Sequence, residues 1–566
     1  MSFQKLNLLQ RKFFNKSLFI KITYSLIFIF LATFFWYSLI LGNLRFLIPN
    51  FWRVTGLPFT SRNYLIIFQN EAEMRPTGGF ISAYANLKFH HGFPSSLQIE
   101  DVYGEIMHHE SIQPPKVMGE LLAGPTYPGY GFRDMNFSPN FPNSARTLAN
   151  FYLKIFPKDK KIDGVIAINF HVLEDLLDLV GPIKIDDEIF TADNLFAKLE
   201  ASVSDIDKHD ENALANRKNI LKDVAQKIVK KIIFSPWKHP KFLLIMQKNL
   251  AERHIQLYFS NKALQEKISD KGWSGEIPLV KQDFLGLAEA NLGGMKTDRY
   301  LSRDIQYDVT ITDERDKNGK RVAFGDLTIT LHNQADDNLP ISGFYKGYFR
   351  ALTASGSTLI SGDIYNEYEE FDKKIFGEIA KININEDQTI KLKYHLRDGI
   401  VDGEQYSLYL RKQPGTIADH YRITIKTPQG TGIKSNDFTT RENLAIASFN
   451  LEKDRILNLS ILPDRDPPAI VDQYFSDPNT ITIRFNEDLS FNKIIERDYV
   501  VDDSDIINPK HDDLKILKVD HTNRTIFLKL AGISKQKEER YKITLRGLAD
   551  IHGNFLPERT VTAVWR

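Results

Sequence analysis

The chain has 566 residues, 73 basic and 72 acidic side chains, a net charge of +1 and no cysteine. That length exceeds one hydrophobic core, so several domains are expected. The balanced charge leaves no global field to recruit nucleic acid, and the missing cysteine excludes disulfides, thiol catalysis and thiolate metal sites.

Residues 22–41, ITYSLIFIFLATFFWYSLIL, carry no charge and no proline. As a helix rising about 1.5 Å per residue, they span roughly the 30 Å hydrocarbon core of a bilayer. Trp36 and Tyr37 lie near the distal end, where amphipathic rings favour the interface. Residues 1–21 hold Lys5, Arg11, Lys12, Lys16 and Lys21 and no acid, so this tail is expected in the cytoplasm and the bulk of the chain outside. No small-residue cleavage site follows the apolar run, which favours a retained anchor over a signal peptide.

Residues 60–300 read as α/β. Tyr64 to Phe68 is a continuously apolar segment suited to a buried central strand. Residues 80–89 and 97–102 read as further strands, with a Pro-, Gly- and Tyr-rich loop after them. Asn143 or Ser144 is the expected N-cap of a helix with Ala145, Leu148, Ala149 and Tyr152 on one stripe. Residues 164–169 suit a strand, 172–179 a short helix ended by Gly181-Pro182, and 211–233 a long helix. From about residue 301 to 460 alternating runs such as DVTIT and DLTITL make a β-rich region. Pro463 to Pro468 marks a last boundary. Residues 463–566 resemble the Ig-like β-sandwich modules of bacterial surfaces, with ITIRFNEDL, YKITLRGLADIHGN and a closing strand as matching features.

Two stretches could carry chemistry. NEAEMRPTGGF (70–80) follows the central strand; Glu71, Glu73 and Arg75 sit at its carboxyl end, where open α/β sheets bind ligands. The alternative there is a hairpin with a surface ion pair. Arg133, Asp134 and Asn136 precede a helix whose N-terminus, with Arg133 or Arg146, suits an anion, and Asp134 could hold a divalent ion. The alternative is a structural loop. Arg217 falls on the apolar stripe of its helix, so it needs an internal carboxylate or an anionic ligand. His90-His91 and His108-His109 each offer only one easy metal ligand, and no nucleophile elbow, P-loop or Rossmann fingerprint is present.

EMRPTGGFI (73–81), RDMNFSPNFPNSA (133–145), DGVIAI (163–168), LVGP (179–182), the Arg217 helix, QLYFSN (256–261), GWSGEI (272–277) and ANLGGMKTDRYLSR (290–303) together resemble the bacterial domain-of-unknown-function family four-thousand-and-twelve, over roughly residues 60–430. That family consists of membrane-anchored exterior proteins without an agreed activity. The order of elements is also distantly similar to the LytR-CpsA-Psr family, which transfers glycopolymers from a polyprenyl-pyrophosphate carrier. IEDVYGEI (99–106) sits where that family has Arg-Asp-Thr, with Asp101 matching the aspartate and Glu100 replacing the arginine. The resemblance implies catalysis by Asp101, Arg75 and Arg133, substrate binding by Arg217, Arg146, Asn136 and Glu73, and Mg²⁺ on Asp101 and Asp134. The expected protein is a single-pass, membrane-anchored envelope protein with an α/β LytR-CpsA-Psr-like domain, a β-rich domain and an Ig-like tail. It would bind or transfer polyprenyl-linked glycan, or act as a non-catalytic scaffold or adhesion protein.

Overall fold

The computed structural model describes residues 47–57, 60–103, 106, 112–122, 129–204, 211–335, 343–490, 499–503, 514–533 and 538–565. The apolar run at 22–41 lies outside them, as do His108 and His109. Among the described residues no helix is long and apolar enough to cross a membrane. The chain is β-rich and multidomain, with two seven-stranded sheets beside smaller ones.

The N-terminal unit contains α1 (Leu47–Thr55), β1 (Ser61–Asn70), β2 (Phe80–His90), β3 (Phe93–Asp101), α2 (Lys116–Leu122), α3 (Phe141–Ile155), β4 (Gly164–Asn169), α4 (Phe170–Val180), the hairpin β5 (Ile183–Ile185) and β6 (Glu188–Phe190), α5 (Ala192–Ser204), α6 (Glu211–Ile233), α7 (His239–Ala251), β7 (Ile255–Phe259) and α8 (Lys262–Asp270). The main sheet runs β3-β2-β1-β4-β7. Only β1 and β4 are parallel; the other pairings are antiparallel. The apolar run of β1 is buried because helices cover both faces. Leu65 and Ile67 pack with Leu148, Tyr152 and Val165 on the α3 side. Tyr64 packs with Val172, Leu243, Leu264 and Trp273 on the other.

Helix α3 starts earlier than expected. Its N-cap is Asn140, and Pro142 falls in the first turn, where its missing N–H costs nothing. Helix α6 runs from Glu211 to Ile233 with Val224, Ile228 and Ile232 buried.

The second unit is a sandwich. Its strands are β8 (Asp283–Asn291), β9 (Leu301–Arg315), β10 (Arg321–Asn333), β11 (Tyr345–Ala354), β12 (Thr358–Ser361), β13 (Asn366–Glu370), β14 (Lys373–Ile382), β15 (Asp387–His395), β16 (Gln405–Arg411), β17 (Asp419–Lys426), β18 (Gly432–Lys434), β19 (Thr439–Arg441), β20 (Leu444–Leu451) and β21 (Arg455–Leu462). One sheet runs β12-β15-β10-β9-β17-β20-β19 and the other β13-β14-β11-β8-β16-β21-β18, and both contribute to one core. Strand β8 precedes residue 301, yet it sits at the centre of its sheet and is buried along its whole length.

The last unit has β22 (Ile470–Asp477), β23 (Thr480–Phe485), β24 (Tyr499–Asp503), β25 (Lys515–Thr522), β26 (Thr525–Ala531), β27 (Arg540–Leu545) and β28 (Arg559–Val564). Its two sheets, β22-β23-β26-β25 and β24-β27-β28, enclose Ile481, Ile483, Leu528, Tyr541 and Ile543.

Candidate functional site

The loop after β1 carries most of the predicted chemistry, and it is buried. Arg75 is 1 % exposed. One guanidinium nitrogen bonds Glu73 Oε1 at 2.9 Å and Asp134 Oδ1 at 3.2 Å. The other donates to the Met74 and Asn291 carbonyls. Arg133 Nε reaches Asp134 Oδ2 at 3.3 Å, and its guanidinium lies 5.8 Å from the Tyr103 ring centre. Two guanidiniums therefore face two carboxylates. Burial pushes the Glu73 carboxyl up against the pull of Arg75. Burial alone would lower Arg75, but Glu73 and Asp134 outweigh it and hold the guanidinium charged.

The turn itself is built for close approach. Gly78 and Gly79 have φ of +124° and +156°. A Cβ on Gly78 would stand 2.7 Å from Asn169 Oδ1. Asn136 Nδ2 donates to Thr77 Oγ1 at 2.9 Å and to the Gly79 carbonyl at 2.8 Å. Asn169 Nδ2 donates to the Gly78 carbonyl at 3.0 Å, and Gln256 Nε2 to the Thr77 carbonyl at 2.5 Å. Glu71 reaches across the chain. Its carboxylate accepts the Phe170 and His171 amides, at 2.9 and 2.7 Å, and so caps α4. Burial raises the Glu71 pKa to about 7 against those two amides.

The same loop is the seam with the sandwich. Asn291 N donates to the Met74 carbonyl at 2.9 Å, and Asp298 N to the Ala72 carbonyl at 3.1 Å. Asp298 Oδ2 accepts Met74 N at 2.9 Å and Asn291 Nδ2 at 2.7 Å. Behind it Arg303 makes a bidentate pair with Glu289, at 2.6 and 2.8 Å, and bonds Asp298 Oδ1 at 2.8 Å. Burial raises Asp298 well above the usual carboxylate range and Glu289 adds to it, whereas Arg303 overcomes burial to hold Glu289 low.

The Arg133–Ala145 segment is held from the sandwich side as well. Arg350 donates to the Phe137 carbonyl at 2.9 Å and stacks 4.6 Å from that ring. Arg411, fully buried, donates to the Pro139 carbonyl at 2.9 Å and to the Gly275 carbonyl at 3.2 Å. Phe141, Pro142, Ser144 and Ala145 in the first turns of α3 are buried. That helix end is covered, so it presents no open anion site of the expected kind.

The predicted residues divide accordingly. Arg75, Glu73, Arg133, Asp134 and Asn136 come together as an internally paired cluster; the alternative hairpin is present, as β1 and β2, but the ion pair in its loop is drawn inward and not left on the surface. Asp101 ends β3, where Oδ1 accepts Tyr103 N at 2.8 Å. Arg146 is exposed and bonds Asn143 Oδ1. The side chain of Arg217 lies outside the described residues. Mg²⁺ on Asp101 and Asp134 does not fit this arrangement. Both Asp134 oxygens face guanidinium nitrogens, so a cation there would meet Arg75 and Arg133 first. A surface depression of ≈ 570 Å³ lies elsewhere, along β10, β12 and β15, lined by Asp326, Asp363, Glu378 and Lys391 and by none of the predicted residues.

The buried partners Glu289, Asp298, Arg303, Arg350 and Arg411 escaped sequence reasoning. Arg303 did leave a signal. It shares the inward face of β9 with Leu301, Ile305 and Tyr307, where a charge needs a buried partner.

Residues 60–203 match the family described as "Protein of unknown function (DUF4012)". No curated protein matches the chain. Among solved structures, the N-terminal part of the bacterial S-layer protein SbsC is similar at 14% identity and a TM-score of 0.16, over 18% of this chain and 23% of that one. An M1 zinc metallopeptidase from Deinococcus radiodurans is similar at 12% identity and a TM-score of 0.19, over 35% of this chain and 50% of that one. The chain spans about a quarter and a half of those proteins, and at such scores neither likeness carries an argument.

Proposed function

We propose that this protein is a non-catalytic scaffold or adhesion protein of the cell envelope, anchored by the apolar run at 22–41. In this reading the N-terminal unit and the sandwich form one stiff platform that carries the C-terminal module outward. One observation carries it. Arg75 and Arg133 face Glu73 and Asp134 in a charge-balanced set, with Arg75 and Asp134 buried, so these two guanidiniums are already neutralised within the chain. Motifs 73–81, 133–145 and 290–303 then serve to lock two units together. Anchoring at the membrane rests on the uncharged run and its basic flank.

The rival reading is transfer of a glycopolymer from a polyprenyl carrier. It requires Arg75, Arg133 and Asp134 to turn toward a ligand, at the cost of exposed or unpaired partners. The test uses the full chain in mild detergent with polyprenyl pyrophosphate and Mg²⁺. The scaffold reading predicts neither uptake nor pyrophosphate-linked turnover. Stoichiometric uptake that Arg133→Ala abolishes would restore the transferase reading.

A further inference from the structure

A second charged cluster lies at the junction between the sandwich and the last unit, and the platform account does not use it. Asp464 sits in the linker between β21 and β22. Glu487 follows β23. Asp550 and His552 belong to the turn between β27 and β28. One ligand atom from each lies within 4.8 Å of all the others. Asp464, Glu487 and Asp550 are buried, at 8%, 4% and 0% exposure.

Three buried carboxylates in one place demand compensation. Among the described residues no lysine or arginine forms an ion pair with any of them. The side chain of His552 pairs with Asp464 instead: Nδ1 lies 3.3 Å from Asp464 Oδ2 and Nε2 lies 3.4 Å from Asp313 Oδ1 on β9.

Asp464 gives an independent pointer. Its side chain is fully buried, yet Oδ2 receives no hydrogen bond. Its other oxygen accepts Asp466 N at 3.0 Å. Gly430 closes over Oδ2 from the sandwich side: a Cβ there would come within 2.5 Å of the Asp464 carboxyl carbon. Asp550 is held rigidly, with Oδ1 accepting His552 N and Asn554 N at 2.8 and 2.9 Å and Oδ2 accepting Asn554 Nδ2 at 2.8 Å. A preset carboxylate beside one whose Oδ2 is buried without a hydrogen bond is the donor arrangement of a hard-cation site.

We infer that Asp464, Glu487 and Asp550 bind a divalent cation of the oxygen-preferring class, Ca²⁺, with His552 orienting Asp464 from the rim. The ion ties the 463–468 linker to two loops of the last unit. Through His552 and Asp313 the tie continues to the sandwich, so the cation stiffens the joint. Carboxylate oxygens without thiolates suit Ca²⁺ over Zn²⁺.

The test is calorimetric titration of the full chain, in detergent and stripped with EGTA, using CaCl₂ and, in parallel, ZnCl₂. Wild type should take one Ca²⁺ per chain. Asp464→Asn and Glu487→Gln should each lose at least tenfold in affinity with unchanged circular dichroism. Limited proteolysis within 463–468 should slow on adding Ca²⁺ to wild type and not to Glu487→Gln. If Asp464→Asn fails to fold, the Glu487→Gln pair of measurements decides. No uptake by wild type, uptake undiminished in Glu487→Gln, or preference for Zn²⁺ over Ca²⁺ would overturn the assignment.

Discussion

Replacing Arg75 with methionine separates a structural guanidinium from a ligand-binding one. Methionine keeps much of the apolar stem but removes the charge between Glu73 and Asp134. It also withdraws the donor from the Asn291 and Met74 carbonyls. Breaking a buried pair by deleting one partner costs about 3–5 kcal/mol, because an uncompensated charge stays behind. For a unit of this size, that lowers Tm by roughly 6–20 °C. The loss should fall on both the N-terminal unit and the sandwich, since the guanidinium spans their seam. Calorimetric unfolding of the full chain measures it. Adding Glu73→Gln to Arg75→Met should recover part of the loss by removing the orphaned charge, while Asp134 keeps Arg133 as its partner. Arg75→Met with Tm unchanged and polyprenyl-pyrophosphate binding abolished would refute the argument.

Other predictions follow from single contacts. Gly415→Ala should destabilise the seam by about 1–3 kcal/mol, because φ is +92° and a Cβ would stand 2.7 Å from the Gly78 carbonyl carbon. Chemical denaturation reads it, and Gly399→Ala, in an open turn at similar φ, serves as the strain control. Glu71→Ala should cost about 1–2 kcal/mol by uncapping α4, with faster amide exchange at Phe170 and His171. Asp283 is buried beneath Tyr307 and Tyr406, and burial raises its pKa to about 6 against their hydrogen bonds. A raised folded pKa gives stability that is complete below the unfolded value and lost as pH rises through about 6. The stability difference between wild type and Asp283→Asn should therefore shrink by roughly 3 kcal/mol over that window. A pH-independent difference would contradict the burial argument.

Much of the architecture was legible because its cause is local. The apolar run at 64–68, the Ala145–Tyr152 stripe and the alternation in DVTIT and DLTITL each reflect which face meets a core. Two things were not legible. Strand β8 carries Asp283, Glu289 and Asn291 among its apolar residues, so no clean period identifies it, and only pairing with β11 and β16 makes it central. The partners of Arg75 could not be read either. Asp134 is distant in sequence, and Asn291 more so. Unusual polar residues at the end of a central strand fit a ligand pocket and a buried seam equally well. What distinguishes the two is whether the opposing charge comes from the same chain.

The most direct test of the seam is hydrogen–deuterium exchange of the full chain over residues 70–80 and 290–303, with and without polyprenyl pyrophosphate and Mg²⁺. An internally paired lock predicts slow exchange in both segments, unchanged by the lipid. Fast exchange without lipid, with protection gained when it is added, would mean that these residues wait for a ligand and that the scaffold account is wrong.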